Sequence, residues 1–302
     1  MEIIYNEQNT NVEQKDLSNQ LLIGSNPRDP ASSLESNVTL EEKQNLGDRM
    51  KSYEKQYTKI IAEQNLPLIV RLDGKNFSVF TRNLNRDVKP FSSNFANIMK
   101  DTASYMMHSF NSNVCFTVSD EITLIFINKS ERSLHPFAGK IYKIQSLMAA
   151  AASTYFVSKL TTYLPEKVGN LPIFDCRAFT VPNIMEAYNS VYWRYRDGFK
   201  NAVSTVARLY YSKNHLFKKH TKEQLNMLEK KGINFEESYL SMYKYGTCLA
   251  KIKKIITFLP EELSMLPEKH NARTNGGGTY HRNVIEEIQI SNLYNYLTTC
   301  NN

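Results

Sequence analysis

The sequence is poor in the residues that build metal clusters and covalent staples. Its four cysteines, Cys115, Cys176, Cys248 and Cys300, lie far apart, with no CxxC pair and no histidine at zinc-ligand spacing. Its six histidines are equally scattered, and no HExxH occurs. A disulfide framework and a structural zinc site are excluded on this ground, and idle thiols in a reduced compartment are the economical reading. No stretch approaches the ~20 apolar residues of a membrane span, so no membrane partner is expected. The start, MEIIYNEQNTNVEQKD, is acidic and rich in Asn and Gln, unlike a signal or transit peptide. The expected location is therefore cytoplasmic, with mitochondria left open. Neither GxGxxG nor GxxxxGKS/T is present, which removes the Rossmann and P-loop readings.

What is present is an ordinary globular composition, 41% hydrophobic and 22% charged over 302 residues, long enough to bury a core without staples. The formal net charge is +7, and its distribution says more than the total. Residues 1–48 hold nine acids against three bases, so all of the positive excess lies after them. A basic body behind an acidic tail suggests a polyanionic partner, or simply a soluble basic surface.

Residues 1–45 show no sustained period and contain turn formers such as GSNPRDPASS, so an acidic flexible tail is expected there. LGDRMKSYEKQY looks like a helix, and PLIVRLD (67–73) a strand stopped by Gly74. From Phe95 to Phe110 apolar residues recur at three- and four-residue spacing, which predicts an amphipathic helix. NVCFTVSDEITLIFIN (113–128) predicts a β-hairpin with carboxylates at or beside its turn. A second helix is expected over 139–160, with a run of small residues from Ala149 to Ala152, and a strand in LPIFDCRAFTV. This order predicts an α+β fold, an antiparallel sheet with helices packed on one face, spanning 46–182. Residues 183–302 read as mainly helical. AYNSVYWRYRDGFKNAVSTVARLYYS suggests a long helix or helix pair, Thr221 to Gln224 a capping box, YKYGTCLAKI a late strand and NARTNGGGTYHRN a mobile loop.

Two local features carry chemistry. In Arg71-Leu72-Asp73-Gly74-Lys75-Asn76-Phe77-Ser78 a strand delivers a carboxylate to its end, and the glycine then permits a tight turn. Backbone N–H groups beyond it could hold phosphate oxygens. Asp120, in the Ser119-Asp120-Glu121 turn, would converge on Asp73 if the two strands are neighbours. Two carboxylates without His or Cys favour Mg²⁺, and two such ions roughly 3.5–4 Å apart would serve an in-line phosphoryl displacement. Lys140 and Lys143, at the start of the 139–160 helix, would add charge where the helix dipole already favours anions. Each feature alone is more often a plain turn or a solvated surface.

RLDGKNFSVFTR, TVSDEITLIF, FAGKIYKIQSLMAAAAS and WRYRDGFKNAVSTVAR occur in the order and spacing of the tRNA(His) guanylyltransferase superfamily. LGDRMKSYE and FKKHTKEQLNMLEKKGINFEESYLSMYKYGTCLAK resemble its guanylyltransferase-like 3′-5′ polymerase branch. The resemblance covers roughly residues 45–255. It implies a polymerase-palm-like sheet and Mg²⁺-dependent addition of nucleotides to a tRNA 5′ end, with ATP or GTP activating that end. It further implies that Asp73, the Gly74 carbonyl and Asp120 hold two Mg²⁺ ions. Asp73, Gly74, Lys75, Asn76, Phe77, Ser78, Ser119 and Asp120 would line the nucleotide site, and Lys140 and Lys143 would meet the triphosphate. A homotetramer is also implied.

One departure bears on the reaction. Where tRNA(His) guanylyltransferases carry His-Ile-Asn after the WRxxD stretch, this chain has Phe199-Lys200-Asn201. That favours templated repair of 5′-truncated tRNAs over obligatory addition of an extra G. Lys200 and Asn201, with Lys213, Lys218 and Lys219 of the basic, aromatic-flanked stretch that follows, are the expected RNA contacts. The alternatives are a tRNA(His) guanylyltransferase, a palm-type nucleotide cyclase and a non-catalytic RNA-binding protein.

Overall fold

A computed structural model describes residues 45–128, 133–274 and 278–301. The expected tail therefore lies, apart from residue 45, outside the described residues. The chain divides into two compact units, Met1–Gln56 and Tyr57–Asn302. In the first, the residues from Leu46 on form most of helix α1 (Leu46–Thr58), a polar helix with no buried residue.

The second unit is built on one sheet in the order β4-β1-β3-β2-β5-β6, each neighbouring pair antiparallel. The strands are β1 (Leu68–Gly74), β2 (Val114–Val118), β3 (Glu121–Phe126), β4 (Phe174–Thr180), β5 (Thr247–Thr257) and β6 (Thr279–Glu287). β1 and β3 are apolar through most of their length because both faces of the sheet are covered. Alternation along β1 sends Leu68, Val70 and Leu72 to one core and Ile69 to the other.

The first core is closed by α2 (Ser93–Phe110) and α3 (Ile141–Ser158). The period read in α2 places Ile98, Met99, Thr102, Ala103, Met106 and Met107 inward, and the Ser92 hydroxyl caps it by accepting from Phe95 N–H. The two helices of the palm-like segment thus share one face, as expected. The opposite face is covered by the C-terminal portion, through α4 (Ile184–Tyr210) and, at the chain end, the helix Ile290–Asn301. α4 is a single helix of 27 residues. Its second half packs with α5 (Thr221–Glu229) in a third cluster containing Val203, Val206, Leu228 and Phe235.

Two local expectations are corrected. The cap of α5 is His220, whose N–H donates to Glu223 at 2.9 Å, so Thr221 is the first helical residue. Residues 279–283, expected in a mobile loop, begin strand β6, and 271–274 form a helical turn; residues 275–277 of that loop lie outside the described residues. The late strand expected within 243–252 appears as β5, and β5 and β6 extend the sheet from β2. Among the described residues no helix is long and apolar enough to cross a membrane.

Candidate active site

Strand pairing brings the two predicted carboxylates together at one end of the sheet. Asp73 lies opposite Glu121 in the β1–β3 register, and Gly74 N–H donates to the Asp120 carbonyl at 3.1 Å. The hairpin turns through Ser119, whose φ of 53° is left-handed, and the Ser119 hydroxyl donates to Asp120 Oδ1 at 3.1 Å. Burial holds the Asp120 carboxyl above its ordinary range, and the negative charge of Asp73 adds to this.

The adjacent carboxylate is compensated from within the chain. Arg194 of α4 donates through Nε to Glu121 Oε2 at 2.6 Å and makes a second contact to Oε1, while lying 3.2 Å from Asp197. Burial raises the Glu121 pKa, and Arg194 opposes the rise. Asp73 and Asp120 therefore remain as the pair open to an external cation. Among the described residues no three His, Cys, Asp or Glu side chains cluster as ligands. Two carboxylates and the Gly74 carbonyl nevertheless suit Mg²⁺, which completes its octahedron with water and phosphate oxygens.

Gly74 is required by close approach. A Cβ there would fall 2.4 Å from the Phe77 ring, and Phe77 is fixed among Phe80, Phe95, Phe156 and Phe174. The Phe77 side chain, 2% exposed, therefore serves the core, and only its backbone can face a ligand. Asn76 adopts φ 58° and opens the short helix Phe77–Phe80, whose first N–H groups have no intrahelical partner. Lys75 is exposed, and its N–H is taken by the Ile173 carbonyl at 2.9 Å.

A cleft of about 360 Å³ adjoins the pair, lined by Asp120, Ser119 and Ser78 together with Arg86, Asn201 and Tyr243. Gly198 of α4 makes this junction tight, since a Cβ there would sit 2.5 Å from Val118 Cγ2 beside the hairpin turn. Gly198→Ala should cost about 1–3 kcal/mol by overpacking, read as a lowered midpoint in urea unfolding. Arg86 stands in no motif, and Tyr243 is legible only as part of an expected late strand, so the sequence marks neither as a site residue. Tyr243 reaches the cleft from a turn before β5, stacked on Phe91 at 5.0 Å.

Lys140 caps the start of α3 and Lys143 lies in its first turn. Ile141 N–H donates to the Ile60 carbonyl and Ala62 N–H to the Gly139 carbonyl, so this end of α3 lies where the chain enters β1. The helix meets the Asp73 end through Ser153, which accepts from Phe174 N–H, and Phe174 pairs with Gly74. Roughly 20 Å of helix lies between Lys140 and Ser153. If that separation keeps both lysines from the nucleotide, Lys140→Ala and Lys143→Ala should each leave its KM within about twofold in steady-state assays; a larger rise would place them in the triphosphate cradle.

The expected RNA contacts are also divided. Lys200 and Lys219 line one groove, whereas Asn201 faces the cleft beside Asp120. A single residue step on a helix turns the side chain by about 100°, which separates the two. Lys213 and Lys218 are exposed beyond the end of α4 and line neither.

With this geometry in place, similarity to known proteins can be stated. The family model described as Thg1, tRNAHis guanylyltransferase, matches residues 47–182. An uncharacterised protein, R259, of Acanthamoeba polyphaga mimivirus is 32% identical over 234 residues, 68% of this chain and 77% of that protein. A bacterial tRNA(His) guanylyltransferase (Thg1)-like protein solved in complex with ATP matches with a TM-score of 0.63 at 30% identity, over 69% of this chain and 87% of the other. A bacterial Thg1-like protein solved in complex with GTP shares the fold, with a TM-score of 0.63 at 23% identity, over 84% of this chain and 99% of that chain.

Proposed function

The chain belongs to the Thg1 family of tRNAHis guanylyltransferases, whose members are nucleotidyltransferases, and from that premise we propose templated 3′-5′ extension of tRNA 5′ ends. The observation that carries the proposal is the convergence of Asp73 and Asp120 at one sheet end, beside a cleft of nucleotide size. Two Mg²⁺ ions would be held by Asp73, the Gly74 carbonyl and Asp120, and bound there they would supply charge stabilisation at the reacting phosphoryl oxygens.

The reaction runs in two displacements. The 5′-monophosphate of the RNA attacks the α-phosphate of ATP or GTP, and pyrophosphate leaves. The 3′-hydroxyl of an incoming nucleoside triphosphate then attacks the activated 5′ phosphate, and the nucleoside monophosphate leaves. The protein's own part is alignment. The first N–H groups of the Phe77–Phe80 turn and the Arg86 guanidinium offer donors to phosphate oxygens, and Arg194 keeps Glu121 neutralised so that it does not repel them. A related bacterial protein, 30% identical, was solved in complex with ATP, which supports a nucleoside triphosphate as ligand.

Incubation with a 5′-truncated tRNA and each labelled nucleoside triphosphate tests the proposal; a labelled tRNA longer by one nucleotide is expected, and no incorporation from any of them would refute it. Arg86→Ala should raise the KM for nucleotide by about tenfold or more, the worth of one charged hydrogen bond, with RNA affinity unchanged in a binding titration. The reading also includes a cytoplasmic location and a homotetramer, the latter testable by sedimentation. The second reading, addition of the extra 5′ G to tRNA(His), is favoured by the family model's own description and is separated from the first by template dependence.

A further inference from the structure

α4 has two working faces. Arg194, Gly198 and Asn201 look into the nucleotide cleft. Tyr192, Tyr195, Arg196, Phe199 and Lys200 lie on the opposite face, by the 100° step of the helix, and line a separate groove of about 710 Å³.

Along that groove runs a ladder of nearly parallel rings. Tyr188 stacks on Tyr192 at 5.6 Å, Tyr192 on Tyr195 at 6.0 Å, Tyr195 on Tyr245 at 5.2 Å and Tyr245 on Phe199 at 5.1 Å, with interplanar angles of 5–15°. Tyr245 is locked in place, its hydroxyl donating to Glu236 Oε1 at 2.7 Å. A ladder built only for packing would be closed from water, yet Tyr192 remains 38% exposed. Cations stand beside it: Arg196, 6.0 Å from the Tyr192 ring centre, with Lys200 and Lys222 exposed on the groove wall. Gln224, 8% exposed, also lines the groove. Its Nε2 donates to the Lys219 carbonyl, while its Oε1 is buried without a partner among the described residues.

Rings flanked by cations and one unsatisfied amide oxygen describe a ligand with phosphates, flat faces and polar edges. That is a single-stranded nucleic acid, because the bases of a duplex are stacked on one another and not free to meet rings. The groove also stands in a useful place. Gly198 packs on Val118 and Arg194 holds Glu121, so the turns of α4 that carry the ladder are fixed one helix diameter, about 10 Å, from the hairpin bearing Asp120. When a tRNA lacks its 5′ nucleotide, the opposing 3′ strand is unpaired and must pass close to the reacting end.

We infer that this groove holds the unpaired 3′ strand of the RNA, with Arg196, Lys200 and Lys222 on its phosphates and its bases against the Tyr192–Tyr245 ladder. The inference rests on the RNA-end reading given above and adds to it the surface that presents the template.

The test is fluorescence anisotropy on the full chain with two RNA hairpins of the same stem, one blunt and one carrying a 3′ overhang of about four nucleotides. The wild type should bind the overhang RNA at least about tenfold more tightly, since each stacked base is worth about a tenfold gain or more. Tyr192→Ala and Lys222→Glu should each remove most of that preference while leaving affinity for the blunt RNA within about twofold. Lys222→Glu places an acid in the first turn of α5, where the helix dipole favours it, so loss of fold is not the explanation. Equal binding of the two RNAs by the wild type, an undiminished preference in both variants, or displacement of neither RNA by a single-stranded competitor would overturn the inference. Nucleotide incorporation is scored separately. Overhang preference without incorporation into any RNA would refute the catalytic proposal and leave the groove; incorporation without overhang preference would do the reverse.

Discussion

Asp120→Asn is expected to lower nucleotide incorporation by at least about a thousandfold and, in metal-free buffer, to raise the melting temperature. The first effect follows from chemistry. Asn keeps the size and one carbonyl oxygen but removes the charge that a hard divalent cation needs, and the transition-state stabilisation such a cation supplies is several kcal/mol, at about 1.4 kcal/mol per tenfold in rate. The second follows from the sign of the pKa shift. Burial, reinforced by Asp73, raises the Asp120 pKa in the folded chain, so the protonated carboxyl favours folding and the charged one opposes it. That contribution to stability is present in acid and is lost as pH rises through the ordinary carboxylate range and into the raised one. Asn removes the loss at neutral pH. Differential scanning calorimetry with chelator, beside a labelled-nucleotide assay at saturating Mg²⁺, reads both quantities. A variant with near-normal incorporation would remove Asp120 from the catalytic pair, and a lowered melting temperature would show that its charge is compensated by a group other than those placed around it. Adding Mg²⁺ should stabilise the wild type and not the variant, by mass action.

How far the sequence reveals the site depends on whether the signal is local. The strand that ends at Asp73-Gly74 and the hairpin that turns at Asp120 are legible because alternation, turn residues and a stop lie within a few positions of one another. The convergence of the two carboxylates then needed only one assumption, that the strands are neighbours, and the register Asp73 to Glu121 supplies it. For Lys140 and Lys143 the sequence is silent, because a lysine at a helix start says nothing about which end of the sheet that start reaches. That is decided by the backbone bonds from Ile141 to Ile60 and from Ala62 to Gly139. The Arg194–Glu121 pair joins residues 73 positions apart and leaves no pattern to find. Strand β6 was hidden for a different reason. Much of it, from His281 to Asn283, is exposed, so TYHRN carries no apolar period, and the glycines before it suggested a loop. The ring ladder was half legible, since Tyr188, Tyr192, Tyr195 and Phe199 follow helical spacing, but Tyr245 enters from a turn far along the chain.

Changing the template base opposite the missing 5′ nucleotide from C to A should switch the preferred addition from G to U, with the discarded nucleotide reduced at least about tenfold. The argument begins at the Phe199-Lys200 pair, which stands where the resemblance expects His-Ile in enzymes that add G without a template. Here Phe199 is spent on packing, stacked face to face with Tyr245 at 5.1 Å and edge-on to Phe235 at 5.8 Å. Lys200 is exposed in the neighbouring groove, where a cation meets a phosphate and reads no base. Neither side chain therefore offers a fixed donor and acceptor pattern that would select guanine over other bases. Selection falls to pairing with the opposing strand, and a pairing geometry is symmetric in which base serves as template. The measurement is single-nucleotide incorporation into two tRNAs lacking the first nucleotide and differing only at the template base, each with all four labelled triphosphates in competition. Addition of G to both would establish a base-specific pocket on the protein and leave the guanylyltransferase reading in place. In that event the cleft residues Arg86, Asn201 and Tyr243 would be the first to replace, because they are large polar side chains of the cleft lining that can donate to a base and are not held by Glu121.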